Sequence, residues 1–450
     1  MRLRRLRAWV GGESHHALAR RMAGAAFAIR FISAAFVYLS QILLARWMGG
    51  AEFGLYVYVW TWVLLVGDLI HLGLASAAQR FIPAYTQEKA FDLLRGFLSG
   101  SRLVVLICAT AAGFVLAVGV WAARPWLPGN EMQALYLACA ALPAYALANM
   151  LDGIARSYNW MGLALLPPYL LRPSLLLAIM AVAHGFGIPA DATLAMAAAV
   201  AASWAAVVLQ VAWLDRRLAE AVPRGPKLHA IGTWLKTALP ILMVWGFYTL
   251  LTYADVLVLS QFRPGEEVAL YFAASKTLAL VAFVYFSVGA AVAHRFSEYH
   301  VAGERERLAQ FVAAAVRWTF WPSLIALAIV LALGRPFLSL YGPEFVRAYP
   351  LMFILAAGLL ARAAVGPAER LLNMLGEQRA CAAVYAVALA LNLGLSVALS
   401  PRLGATGAAI ATAGAVLSES LLLFLVARRR LGLHVFVWNP LARAKVPIHA

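Results

Sequence analysis

The sequence predicts an all-α integral membrane protein of about twelve spanning helices, in two pseudo-symmetric six-helix bundles with both termini cytoplasmic. Three observations carry that expectation. The 450 residues are 64% hydrophobic and only 13% charged, against roughly 45–50% and about 25% in soluble domains, and the mean hydropathy is +0.80. The basic residues concentrate in alternate loops. Short sequence elements recur, in order, in the two halves of the chain.

The apolar runs come first. A spanning helix needs about 20 apolar residues, and runs of that kind lie near 23–45, 55–79, 97–122, 133–151, 163–184, 190–214, 237–261, 268–293, 311–333, 348–367, 381–400 and 405–427. No polar stretch between them is long enough to fold alone, which excludes a large extramembrane enzyme domain. The basic N-terminus is followed by a full-length apolar run and no small-residue cleavage site, so the expectation is a retained first helix and not a signal peptide.

Charge then orients the runs. With an internal N-terminus, 26 of the 37 Lys and Arg fall in the inner segments, six in the outer loops (Arg46, Arg124, Arg263, Arg335, Arg347, Arg402) and five within spans. Cytoplasmic loops carry the excess, so both termini are expected inside. The net charge of +17 is thereby read as an orientation signal facing anionic lipid. It accompanies no nucleic-acid motif or basic–aromatic stripe, and nucleic acid is excluded as a partner.

The repeat is the most informative feature. Gly50-Ala51-Glu52-Phe53-Gly54-Leu55-Tyr56 aligns with Gly265-Glu266-Glu267-Val268-Ala269-Leu270-Tyr271 at an offset of 215. Gln79-Arg80-Phe81 aligns with His294-Arg295-Phe296 and Arg102 with Arg317 at the same offset; Arg124-Pro125 matches Arg335-Pro336, Arg156 and Asn159 match Arg370 and Asn373, and Arg216-Arg217-Leu218 matches Arg429-Arg430-Leu431. Six spans per half is an even number, so both halves share one orientation. A parallel repeat implies a pseudo-two-fold axis along the membrane normal and a cleft between two rocking bundles. The expected division is a basic N-terminus at 1–22, a first lobe at 23–215, a linker at 216–234 broken by Pro223-Arg224-Gly225-Pro226, a second lobe at 235–431 and a tail at 432–450. Segments 80–96 and 295–310 mix charged and apolar residues and read as amphipathic helices on the cytoplasmic surface.

Charges inside spans select the candidate site, because each costs roughly 2.5–3.5 kcal/mol at a helix centre and therefore faces a cavity or a partner. Arg30, Asp68, Arg172 and Lys276 lie deep in their spans, Asp255 and Arg362 lie in the outer part of the seventh and the inner part of the tenth, and Glu419 lies within the twelfth. Arg30, Arg172, Lys276 and Arg362 are the candidate headgroup ligands. Asp68, His71, one turn beyond it, and Asp255 are the candidates for ion coupling. Bland readings stand beside these: an Asp255–Lys276 ion pair, snorkelling of Arg102, Arg317 and Arg362, a packing role for Glu419, and a hydrogen-bonding role for His71. Tyr38, Gln41, Asn149 and Asn392 either line a polar cavity or bridge helices. Gly404 to Gly414 supplies small residues for close helix contact. Cys108, Cys139 and Cys381 sit in apolar runs and read as small core residues. No phosphate-binding loop, HExxH or CxxC motif is present, and no cofactor is implied.

The string Leu43-Leu44-Ala45-Arg46-Trp47-Met48-Gly49-Gly50-Ala51-Glu52-Phe53-Gly54-Leu55-Tyr56 resembles the first-loop signature of polysaccharide-transport flippases. Leu239-Pro240 through Tyr253-Ala254-Asp255 to Gly265 and Leu270-Tyr271-Phe272-Ala273-Ala274 is similar to the same family, as is Leu371-Leu372-Asn373-Met374-Leu375-Gly376 followed by Pro401 to Thr412. Together these cover about residues 23–431. The family belongs to the multidrug, oligosaccharidyl-lipid and polysaccharide exporter superfamily. The usual Gly-Pro of the first loop is Gly49-Gly50 here.

The resemblance implies a bacterial inner-membrane carrier that moves a polyprenyl-pyrophosphate-linked oligosaccharide to the periplasmic leaflet, for O-antigen, lipopolysaccharide or other exopolysaccharide synthesis. It implies a cationic cavity with a first-helix Arg, of which Arg30 is the nearest match. Its partners would be membrane lipids and the polymerase and glycosyltransferases of the same pathway. Lipid II is disfavoured as substrate, because flippases for it carry two extra helices. One rival is a cation-coupled multidrug antiporter of the same architecture; another, less favoured, is a membrane glycan polymerase. The protein itself is read as no enzyme.

Overall fold

A computed structural model describes the backbone of residues 15–438 and the side chains of residues 32–438, apart from Val244 and Ala290. All regular structure among these residues is helical. The helices are α1 (His15–Ile70), α2 (Leu74–Gln87), α3 (Phe91–Ala123), α4 (Gly129–Ser157), α5 (Met161–Leu166), α6 (Arg172–Gly185), α7 (Ala192–Ala221) and α8 (Ile231–Phe262). They continue with α9 (Gly265–Val301), α10 (Arg305–Ala332), α11 (Gly334–Tyr341), α12 (Tyr349–Val365), α13 (Ala368–Met374), α14 (Gln378–Leu403) and α15 (Ala405–Val426). Ten described segments are long and apolar enough to cross a membrane, or eleven when the two arms of α8, bent by 45°, are taken as one span. The chain is a multi-pass membrane protein.

Twelve spans were expected, and the difference lies in the first two. They occupy one run, Ile32–Gln87, which Gly49 divides: its φ of 75° and ψ of 169° are not helical. Tyr38 and Phe53 would lie about 22 Å apart on one straight helix. Yet they meet α9 only about a turn apart, at Thr277 (3.0 Å) and Phe272 (ring centroids 5.9 Å). The chain therefore folds back sharply at Gly49, where an L side chain is disfavoured.

The expected surface helices are not separate elements. Segment 80–96 is the end of α2, a tight turn and the start of α3; segment 295–310 is the end of α9, a turn and the start of α10. Both turns have one hydrogen-bond pattern. Glu88, Lys89 and Ala90 N–H donate to Ala84, Thr86 and Tyr85, and Ala302, Gly303 and Glu304 N–H donate to Glu298, His300 and Tyr299. Lys89 and Gly303 both hold positive φ, 58° and 71°. The repeat recurs just after Gly49 in α1 and at the start of α9. Glu52 Oε2 accepts from the first N–H of α7, Ala192 (2.8 Å), and Glu267 Oε2 accepts from the first N–H of α15, Ala405 (3.0 Å). A carboxylate there satisfies an orphan donor and complements the helix dipole.

The tail is not wholly free of the bundle. Residues 432–438 lie without helical structure against the second half, with Leu433, Val435 and Val437 buried and Val437 N–H donating to Ala364 O (3.0 Å). The parts of the expected N-terminal and tail segments at 1–14 and 439–450 lie outside the described residues.

Three apolar cores hold the helices. One joins both halves at the end carrying Gly49 and Gly265, through Phe53, Tyr56, Tyr271, Tyr341 and Phe345. Toward the opposite end, which carries the linker, the cores separate. Phe97, Leu151, Leu214 and Trp234 belong to one, and Phe296, Phe320, Leu372 and Leu423 to the other.

Candidate functional site

The site is built on polar side chains between and within the two halves. In the first half, Tyr145 and Asn149 are one turn apart on α4 and share a face. Both donate to Asp68 Oδ1 in α1, at 3.1 and 2.9 Å. Gly67 allows this approach, since a Cβ there would lie 2.3 Å from the Tyr145 ring. A π-helical turn at Pro167–Leu171 precedes α6 and sets Arg172. Its guanidinium lies over the rings of Trp60 and Tyr145, 5.3 and 5.5 Å from their centroids. Asp68 and Arg172 attract each other electrostatically, but the described ion pairs within 4.0 Å do not include them. The aromatic faces offset part of the burial of its charge. Tyr253 of α8 closes the group, interacting with both Asp68 and Arg172.

His71 serves the backbone. It is buried, and its Nδ1 accepts from Gly73 N–H (3.1 Å) in the break between α1 and α2. Arg30 lies outside the described side chains.

In the second half, Asp255 is 6% exposed. It accepts hydrogen bonds from the Tyr271 hydroxyl, from Thr412 Oγ1 (3.3 Å) and from Val256 N–H (2.8 Å). Lys276 attracts Asp255 without a contact within ion-pair distance, and its ammonium sits 5.0 Å from the Phe272 ring centroid. Hydrogen bonds, not a direct ion pair, therefore hold Asp255. Arg362 Nη2 and Glu419 Oε2 form a direct ion pair of 2.5 Å, with Glu419 1% exposed. Tyr248, Tyr285 and Tyr385 surround that pair electrostatically, together with Glu369, and Arg370 lies within reach of Tyr248.

Sequence reasoning missed this tyrosine wall and the Glu369–Arg370 couple. Single tyrosines in apolar helices carry no periodic signal, and Glu369 and Arg370 fall just past the expected tenth span. The couple lies one position before and at Arg370, the repeat partner of Arg156, which was the available clue.

The Gly49 end is closed between the halves. Arg46 donates to the carbonyls of Leu340 (2.6 Å) and Ser339 (3.3 Å), and Tyr38 bonds Thr277 and packs edge-on against Tyr341. Gly54 meets the backbone of Gly265 so closely that a Cβ would fall 1.7 Å from its carbonyl oxygen. Tyr38 is thus a bridge between halves in this arrangement.

Known proteins are similar to this chain in sequence and architecture. The family described as Polysaccharide biosynthesis protein matches residues 21–300, and the MatE family matches residues 240–398. The chain is 24% identical to Uncharacterized membrane protein MJ1068 of Methanocaldococcus jannaschii, over 85% of this chain and 78% of that one. Its fold is similar to an inward-facing multidrug resistance MATE family transporter of the MOP superfamily (TM-score 0.69, 16% identity, 89% of this chain and 94% of that one). It is equally similar to the lipid II flippase MurJ in an inward closed conformation (TM-score 0.69, 14% identity, 89% and 87%). A MOP superfamily transporter from Pyrococcus furiosus, described as having a binding pocket of reverse polarity, aligns with a TM-score of 0.63 at 16% identity, over 90% and 95%. With most of its length matched and a transporter fold throughout, the chain belongs to the polysaccharide biosynthesis protein family, within the superfamily of multidrug, oligosaccharidyl-lipid and polysaccharide transporters.

Proposed function

We propose that this protein is a flippase that carries a polyprenyl-pyrophosphate-linked glycan across the bacterial inner membrane by alternating access, supplying cell-surface or exopolysaccharide synthesis. One observation carries the reading: the halves share a core at the Gly49 end and have separate cores toward the linker end. The charge bias assigns the linker end to the cytoplasm. A wedge open to that side receives an anionic headgroup from the inner leaflet while the lipid tail stays in the bilayer. Arg172, with no carboxylate at ion-pair distance among the described residues, is the strongest of the headgroup ligands; Arg30 and Lys276 act with it. Arg362 contributes through its pair with Glu419, a switchable contact that a phosphate competes for. Asp68, His71 and Asp255 remain the residues proposed to couple an ion gradient to the return step. The protein moves its substrate unchanged, and the polymerase and glycosyltransferases of the pathway act before and after it.

Charge reversal tests the ligands. Arg172→Glu is expected to lower export of lipid-linked glycan by about tenfold or more, since it replaces attraction for a phosphate by repulsion, while Arg124→Glu at the exposed helix end leaves it unchanged. The Arg30→Glu, Lys276→Glu double variant with normal export would remove those two residues from the assignment.

A second reading is favoured by the MatE match over residues 240–398 and by the buried Asp255 within it: a cation-coupled small-molecule antiporter. Drug susceptibility of a deletion strain separates the two, because the flippase reading expects none beyond that of other envelope-defective strains. A polymerase reading is set aside unless purified protein elongates a lipid-linked glycan.

A further inference from the structure

We infer that the segment from Pro223 to Met243 is a lever carried by the first half, and that relative motion of the halves is absorbed at the bend of α8 and not in the Pro-rich linker. The linker is the obvious place for a pivot by composition, but it is docked. Arg95 of α3 donates to the carbonyls of Pro226 (2.7 Å) and Pro223 (2.8 Å), and Asp92 holds the same guanidinium (2.5 Å). Leu228 N–H donates to Asp92 O (3.0 Å). Gly96 leaves no room between α3 and this segment: a Cβ there would lie 1.8 Å from Leu228 O.

The dock continues into α8. Trp234 is 1% exposed, donates its indole N–H to Tyr85 (3.1 Å) and packs edge-on against Phe97 (5.1 Å). Gly100 accommodates it, since a Cβ there would lie 3.0 Å from the indole. Ala238 reaches Gly73, where a Cβ would come within 2.3 Å of Ala238 O. Trp234 and Ala238 belong to the core of the first half, whereas Leu251 and Ala254, further along the same helix, belong to the core of the second. The 45° bend between Ile231–Met243 and Trp245–Phe262 falls between these two memberships. A helix whose ends belong to different rigid bodies must take up their rotation where it is already interrupted.

The first test is independent of transport. The exposed bonds after Arg224 and Lys227 are trypsin sites, and cleavage of a docked segment requires local release. Purified full-length protein is expected to resist cleavage there, and Arg95→Ala to be cut about tenfold faster; should that variant not fold, Asp92→Ala, which removes the carboxylate holding the Arg95 guanidinium, takes its place. Equal cleavage of wild type and variant overturns the dock.

The second test rests on the transport reading above and uses a protein with its three cysteines replaced by Ser, in vesicles, with a fluorescent polyprenyl-pyrophosphate disaccharide as probe. An Asp92→Cys, Leu228→Cys disulfide is expected to leave translocation within about twofold, because the lever stays docked throughout the cycle. A Leu69→Cys, Gly246→Cys disulfide, which ties α8 beyond the bend to the first half, is expected to stop it reversibly. Arrest by the first disulfide, or free translocation with the second, overturns the hinge. If the unlinked parent does not move the probe at all, the transport reading fails, and the trypsin result still decides the dock.

Discussion

Arg362 and Glu419 illustrate what a charge in an apolar helix can do besides face a cavity. Each was visible in the sequence as an expensive residue, but their pairing was not, because they sit on helices separated by two other elements. Removing one partner leaves an uncompensated buried charge, which costs about 3–5 kcal/mol, while replacing both by apolar groups is often neutral. Glu419→Ala is therefore expected to lower thermal stability clearly, and the Arg362→Met, Glu419→Leu double variant to recover most of it; purified protein unfolded by heat or denaturant reads both. Asp68 makes the complementary case. The sequence marked it as deep and charged, and its neighbour Asn149 was singled out as polar, yet only the fold brings Asn149 and Tyr145 onto one of its oxygens. His71 could be placed one turn beyond Asp68 by periodicity, but its commitment to Gly73 N–H depends on a helix break that periodicity does not encode.

At the scale of elements, the internal repeat was legible and its physical content has become specific. Glu52 and Glu267 were matched as letters at an offset of 215; in the fold each caps the last long helix of its own half. Loss of an N-terminal cap costs about 1 kcal/mol, so Glu52→Ala and Glu267→Ala are expected to destabilise by similar amounts, and the departure of the double variant from their sum measures the coupling of the two caps across the Gly54–Gly265 contact. Chemical denaturation of the three variants checks this. Element boundaries were less legible where one helix runs past the apolar stretch. Polar residues after α9's apolar run continue the same helix to Val301, which composition alone read as a surface helix. Gly49 was read as a loop position, and only its backbone angles distinguish a fold-back within α1 from a longer connection.

At the scale of the whole molecule, the excess positive charge in alternate loops is the basis of the proposed orientation, and the halves share one core and hold two separate ones. Closure of the Gly49 end rests in part on Arg46, whose hydrogen bonds cross from the first half to Leu340 and Ser339. Charged hydrogen bonds contribute about 1.5–3 kcal/mol, so Arg46→Ala is expected to raise the population open at that end by about tenfold. An impermeant thiol reagent applied to a Thr277→Cys variant, a fully buried position under Tyr38, reads the change as faster labelling. The substrate was not legible at this scale, because lipid-linked glycans and small cations are carried on the same architecture. The central claim is tested most directly by reconstituting the protein in vesicles with a fluorescent polyprenyl-pyrophosphate oligosaccharide and following its transfer between leaflets. The account expects transfer well above that of protein-free vesicles, lost in Arg172→Glu; transfer no faster than without protein, alongside cation-driven export of small cationic drugs from the same vesicles, would contradict it.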